Sequence, residues 1–135
     1  MATVQLTHDT FEQTVTGDDI VLVDFWASWC QPCLRFAPVY DKASGEHDGI
    51  TFAKVDTEAN QELATELGIE AIPTIMAFRE GVLLFRQAGA LSGGQLNQLI
   101  TQVHDVDMEK VHAEVKKLEA EHADHTDPHA DHTVA

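Results

Sequence analysis

The chain reads as an α/β domain, a central mixed sheet flanked by helices, followed by a C-terminal helical and disordered extension. Three observations predict this. Short apolar runs alternate with helical periodicity through the first half, which requires parallel strands joined by crossovers. Two later strand patterns follow one another across a single tight turn, which requires an antiparallel hairpin. After residue 103 the composition turns acidic and histidine-rich, and the earlier pattern stops.

The elements follow in order. Val4-Gln5-Leu6 alternates and predicts a short first strand. Thr7 caps a helix in which Phe11 and Val15 share a face, and Gly17-Asp18-Asp19 ends it. Ile20 to Phe25 is nearly all apolar, the pattern of a strand buried on both faces. A helix then runs to about Ser44, with Phe36, Val39, Tyr40 and Ala43 at helical spacing. Thr51 to Val55 is a strand, and Asn60 to Leu67 a helix with Gly68 as its stop. Thr74 to Phe78 and Val82 to Ala88 are strands around a Glu80-Gly81 turn. Ser92 caps a last core helix that carries Leu96, Leu99, Ile100 and Val103 on one face. The order is β-α-β-α-β-α-β-β-α, giving a domain over residues 1–104 and an extension over 105–135. In the extension Met108, Val111, Val115 and Leu118 form a narrow seam, predicting a short helix over about 107–121. The rest is polar, aperiodic and expected to be disordered.

Charge excludes some functions. Lys and Arg number 8 against 23 Asp and Glu, a net −15. Phosphate binding needs clustered basic side chains, so nucleic acid is not an expected partner. The opening residues lack an apolar leader, and the longest apolar run, Ile20 to Ala27, contains Asp24 and is too short to span a membrane. A soluble cytoplasmic monomer is expected. In that compartment thiols are kept reduced, so the two cysteines are not read as a structural staple. Closing so short a loop would stabilise by only about 2 kcal/mol.

Those cysteines carry the chemistry. Cys30 and Cys33 flank Gln31 and Pro32 where a helix begins. Positions i and i+3 lie one turn apart, within reach of a disulfide. The first helical turn offers unpaired N–H groups and the positive end of the dipole, and both stabilise a thiolate. Pro32 costs nothing there, because its missing N–H has no helical partner. Cys30, nearer the helix start and expected to be the more exposed, should attack a disulfide. Cys33 should then resolve the mixed disulfide. The competing reading is half of a zinc site, with histidines completing the four ligands. Asp24 is a carboxylate in an apolar strand, where burial should raise its pKa.

The segment Val23-Asp-Phe-Trp-Ala-Ser-Trp-Cys-Gln-Pro-Cys33 resembles the active-site stretch of thioredoxins. Ala53-Lys-Val-Asp56, Ile72-Pro73-Thr74 and Gln87-Ala-Gly-Ala-Leu-Ser92 resemble three further family segments at matching spacing. The resemblance covers about residues 3–103 and is closest to bacterial members of actinobacterial type. It implies the thioredoxin fold and a protein-disulfide reductase acting on disulfide-bearing proteins. It implies no bound cofactor, with electrons coming from NADPH through a thioredoxin reductase. By the same resemblance Asp24 accepts the proton of Cys33, Lys54 pairs with Asp24, and Pro73 follows a cis bond that turns the Ile72 backbone toward Cys30. Trp29, Ala71, Ile72, Gly89 and Ala90 then form a shallow apolar rim for substrate, while Trp26 packs beneath the loop.

Two residues depart from the family. Gln31 stands where glycine is usual, and with Pro32 it tunes the redox poise. Leu34 stands where a basic residue is usual, and losing that charge disfavours the thiolate. Beyond the resemblance, six of the eight histidines lie in residues 104–135. His122, His125, His129 and His132, with aspartates between them, suit Zn, Ni or Cu(II). Protonating the six histidines would also cancel the extension's charge near pH ~6.5. An adapter or metal-responsive binding module using this extension is the alternative function. A solvated extension without a ligand is the simpler view of it.

Overall fold

Strand β2, Ile20–Trp26, is the axis of the domain, and its first six residues are buried. In this computed structural model, which describes residues 3–124, it pairs parallel with β3, Ile50–Asp56, and antiparallel with β4, Thr74–Arg79. The outer strands are β1, Val4–Gln5, parallel to β3, and β5, Val82–Ala88, antiparallel to β4. The sheet order is β1-β3-β2-β4-β5.

Period-two alternation divides β2 between two cores. Val21, Val23 and Phe25 pack with Phe11 and Val15 of α1, His8–Gly17, and Leu63 of α3, Gln61–Glu66. Ile20 and Leu22 pack with Phe36, Tyr40 and Ala43 of α2, Gln31–Glu46, and with Leu96, Ile100 and Val103 of α4, Gly93–Asp105. By the same alternation Asp24 is on the α2 side. A buried aspartate therefore points toward the helix that begins with the cysteines.

Helix α2 runs to Glu46, slightly beyond the expected Ser44, and continues through Pro38. Proline removes one backbone hydrogen bond there. The apolar face on either side of it, Phe36 and Tyr40, is fully covered and holds the helix to the sheet. Asn60 and Leu67, expected inside α3, are its caps instead. Glu80 and Gly81 join β4 to β5 with φ of 52° and 81°. Positive φ at both centres is the two-residue turn whose twist suits a hairpin, and glycine takes it without steric cost.

The chain divides into a compact unit, Met1–His104, and a second beginning at Asp105. The second holds α5, Met108–Asp124, whose first turn donates from Glu109 and Lys110 N–H to Asp107 Oδ1. Leu118 on α5 is 59% exposed. No helix among the described residues is long and apolar enough to cross a membrane.

Tyr40 anchors α2 through one buried polar contact, its hydroxyl donating to the Ala53 carbonyl at 2.8 Å. Burial pushes the Tyr40 pKa well above its usual range, so the hydroxyl stays a donor. Tyr40→Phe keeps the ring and removes this bond. Chemical denaturation should show a loss of about 1 kcal/mol.

Candidate active site

Three chain segments meet at one end of the sheet, and the pairing register forces them to. Phe25, near the end of β2, lies opposite Thr74 at the start of β4. Thr74 in turn lies opposite Ala88 at the end of β5. The Trp26–Cys30 loop, the Ala71–Pro73 loop and the Gly89–Ala90 turn are thus neighbours. Gly89, at φ 100°, donates its N–H to the Pro73 carbonyl at 2.8 Å and fixes the last of these. The Thr74 hydroxyl donates to the Ala71 carbonyl and steadies the second.

Cys30 is the N-cap of α2, and Cys33 ends its first turn. The two are joined as a disulfide, with Cα atoms 5.2 Å apart. The Cys33 backbone N–H donates to Cys30 Sγ over 3.2 Å. Pro32 sits in the first turn, as the sequence requires. Cys30 Sγ lies 3.7 Å from the Ile72 carbonyl, and the Ile72–Pro73 bond is cis. Trp26 and Ile72 pack against the pair.

Exposure does not separate the two thiols as expected. Cys30 is 4% exposed and Cys33 2%. Both residues are buried in the disulfide form, with Trp26 and Ile72 packed against them. The asymmetry lies in hydrogen bonding instead: Cys30 Sγ receives the helix N–H, and a thiolate there would gain most from it.

Asp24 is 0% exposed, and neither carboxylate oxygen has a hydrogen-bond partner among the described residues. Burial raises its pKa to about 7, and the Lys54 charge pulls the other way. Lys54 is its register neighbour on β3. Its ammonium rests over the Trp26 ring, 4.6 Å from the centroid. Nothing in the sequence signals this seat, which needs Trp26 and Lys54 on one face of adjacent strands. Trp26 is fixed from behind, its carbonyl accepting from the Thr57 N–H at 2.9 Å and hydroxyl at 3.1 Å.

Around the thiols Trp29 is 65% exposed, Ala71, Gly89 and Ala90 are exposed, and Ile72 is half-buried. Gln31 and Leu34 are exposed in the first turns of α2. His122 falls in α5, while His125, His129 and His132 lie outside the described residues.

A buried, titratable carboxylate and a helix-capping dithiol thus lie toward the same side of the sheet. The thioredoxin family model matches residues 2–105. The chain belongs to the thioredoxin family. It is 48% identical over 120 residues to "Putative thioredoxin 2" of Streptomyces coelicolor, covering 89% of this chain and 90% of the relative. It is 42% identical over 101 residues to thioredoxin 1 of a Nostoc species, covering 73% and 94%. The solved structure of Plasmodium falciparum thioredoxin is similar at 31% identity and a TM-score of 0.69, covering 74% of this chain and 98% of that one. With Cys30 and Cys33 at disulfide distance, this thioredoxin is a thiol–disulfide oxidoreductase, a protein-disulfide reductase. The adapter reading is not favoured.

Asp24 also makes stability depend on pH. Its folded pKa of about 7 exceeds the ordinary 3.8, so between those values the folded state holds a proton that the unfolded state has lost. Stability therefore falls as pH rises through this window, and the whole penalty is present above 7. Its ceiling is about 4 kcal/mol. Asp24→Asn should stabilise the oxidised protein at pH 8 by an amount up to that ceiling, and far less at pH 4. Urea denaturation at the two pH values checks this.

Proposed function

We propose that this thioredoxin reduces a broad set of disulfide-bearing proteins, with Cys30 as nucleophile and Cys33 as resolving thiol. The observation that carries the assignment is the Cys33 N–H aimed at Cys30 Sγ at the start of α2. A thiolate at Cys30 attacks one sulfur of the substrate disulfide and expels the other as a thiolate. Cys33 gives its proton to Asp24 and attacks Cys30 Sγ. The Cys30–Cys33 disulfide forms, and the second substrate sulfur leaves reduced. Two electrons have passed to the substrate. A carboxyl that titrates near neutrality is suited to this exchange, since it can be empty before the step and filled after it.

Lys54 limits how tightly Asp24 holds the proton. Trp29, Ala71, Ile72, Gly89 and Ala90 offer an apolar, largely backbone surface to the substrate. The Ile72 backbone beside Cys30 would pair with an extended substrate segment in the manner of an added strand. Recognition by backbone rather than side chain suits a carrier with many targets. Pro73 fixes that loop. Gln31, Pro32 and Leu34 set the redox poise. The electrons are held by the cysteine pair and are renewed from NADPH by a thioredoxin reductase. We read the chain as a cytoplasmic monomer.

Turnover of insulin disulfides with dithiothreitol as electron source tests the reading. The wild type should accelerate insulin precipitation, and Cys30→Ser should abolish the acceleration. Cys33→Ser should accumulate stable mixed disulfides, and a folded Cys33→Ser protein that traps none would remove its resolving role. Equilibration against a dithiol buffer series should place the pair at about −270 mV, the region of general thioredoxin reductants. A markedly more oxidising value would overturn the general-reductant reading.

A further inference from the structure

Well outside the dithiol chemistry, α1 and α3 bring three metal-binding side chains to one point. His8 opens α1, and Glu62 and Glu66 lie four apart on one face of α3. His8 Nε2 is 3.3 Å from Glu66 Oε1 and 3.9 Å from Glu62 Oε1. One ligand atom from each residue lies within 4.8 Å of the others. We propose that His8, Glu62 and Glu66 form a binding site for a divalent transition-metal ion of the zinc type, bridging α1 and α3.

Geometry supports a tetrahedral ion. Ligands about 2.0–2.1 Å from zinc are separated along a tetrahedral edge by about 3.3–3.4 Å. His8 and Glu66 already stand at that separation. Glu62 must move closer to match that edge, by roughly half an ångström toward Nε2, and its exposed side chain allows it. Water completes the fourth position. The donor set selects the ion, because one imidazole with two carboxylates suits zinc, whereas calcium and magnesium take oxygen donors.

The surroundings are arranged for the same purpose. His8 Nδ1 faces Asp9 Oδ1 at 3.9 Å. At that distance the Asp9 carboxylate adds negative charge beside the ring without hydrogen-bonding it, which favours a cation at the cluster. The two helices are tied before any ion arrives. The His8 N–H donates to Asn60 Oδ1 at 3.0 Å, and Asn60 Nδ2 donates to the Asp56 carbonyl at 3.0 Å. Ordering the site on binding is therefore cheaper than for free side chains. Without an ion, Asp9, Glu62 and Glu66 crowd one imidazole. Glu66 above all, through its hydrogen bond, makes His8 hold a proton more tightly than usual. Proton and metal compete for Nε2, so affinity rises with pH.

The test is a Zn2+ titration of the full-length oxidised protein, in which the thiols are not ligands. Nitrogen-15 NMR would follow the imidazole nitrogens and backbone amides at pH 7.5. The His8 Nε2 signal should move and saturate, along with the amides of residues 8, 62 and 66. His8→Gln should weaken zinc binding at this locus by more than about tenfold. Glu66→Gln should weaken it as well, and both exposed variants should keep the wild-type spectrum elsewhere. Residue-level signals separate this site from the histidines of the C-terminal extension. If zinc shifts only those histidines and leaves His8 Nε2 unmoved at millimolar concentration, the proposal fails. It fails equally if His8→Gln leaves the α1 and α3 shifts intact.

Discussion

Strand β2 pairs parallel with β3 on one side and antiparallel with β4 on the other, and the site depends on that double pairing. The antiparallel side sets the start of β4 beside the end of β2, so the Ile72 carbonyl arrives next to Cys30. On its other edge β3 places Lys54 level with Asp24 and lets the Thr57 turn hold the Trp26 carbonyl. Burial on both faces fixes the register, because a slip of one residue would exchange the two cores and turn Asp24 away from α2. The precision of the thiol environment is therefore inherited from strand pairing and does not come from the loops alone.

Asp24 is where this scaffold works against its own stability. An unpaired carboxylate in a core is costly whether charged or neutral, and the cost is lowest when it carries its proton. An apolar residue at the same place would satisfy the fold better. What the fold retains instead is a proton site that changes occupancy near neutrality, shielded from solvent and backed by a lysine charge. Seating the Lys54 ammonium on the Trp26 ring keeps that charge close while leaving the carboxylate oxygens free of a hydrogen bond.

Much of this was legible in the sequence. Ile20 to Phe25 announced a doubly buried strand by its lack of alternation, and Glu80-Gly81 announced the hairpin by its turn chemistry. Cys30, Pro32 and Cys33 at a helix start announced the dithiol, because each residue fits a specific position of the first turn. Features that depend on residues distant in sequence were not legible. Nothing local says that Lys54 and Trp26 share a sheet face, or that Asn60 reaches the backbone of His8. The near-equal burial of Cys30 and Cys33 was not legible for the same reason, since Ile72, packed against the pair, lies far along the chain. Pro38 was legible as an anomaly only in retrospect: packing of Phe36 and Tyr40 outweighs one missing hydrogen bond.

The N-cap of α2 is ordinarily a fixed structural group, such as a serine or aspartate oxygen. Here the cap is the Cys30 sulfur, and its electronic state changes during the reaction. As part of a disulfide it is a weak, neutral acceptor for the Cys33 N–H. As a thiolate it is an anion lying against the positive end of the helix dipole. Helix order and electron occupancy are thus coupled through one atom. Reduction therefore exchanges a covalent tie across the first turn for a charge-assisted one, in which a Cys30 thiolate would be held by the Cys33 N–H and the helix dipole.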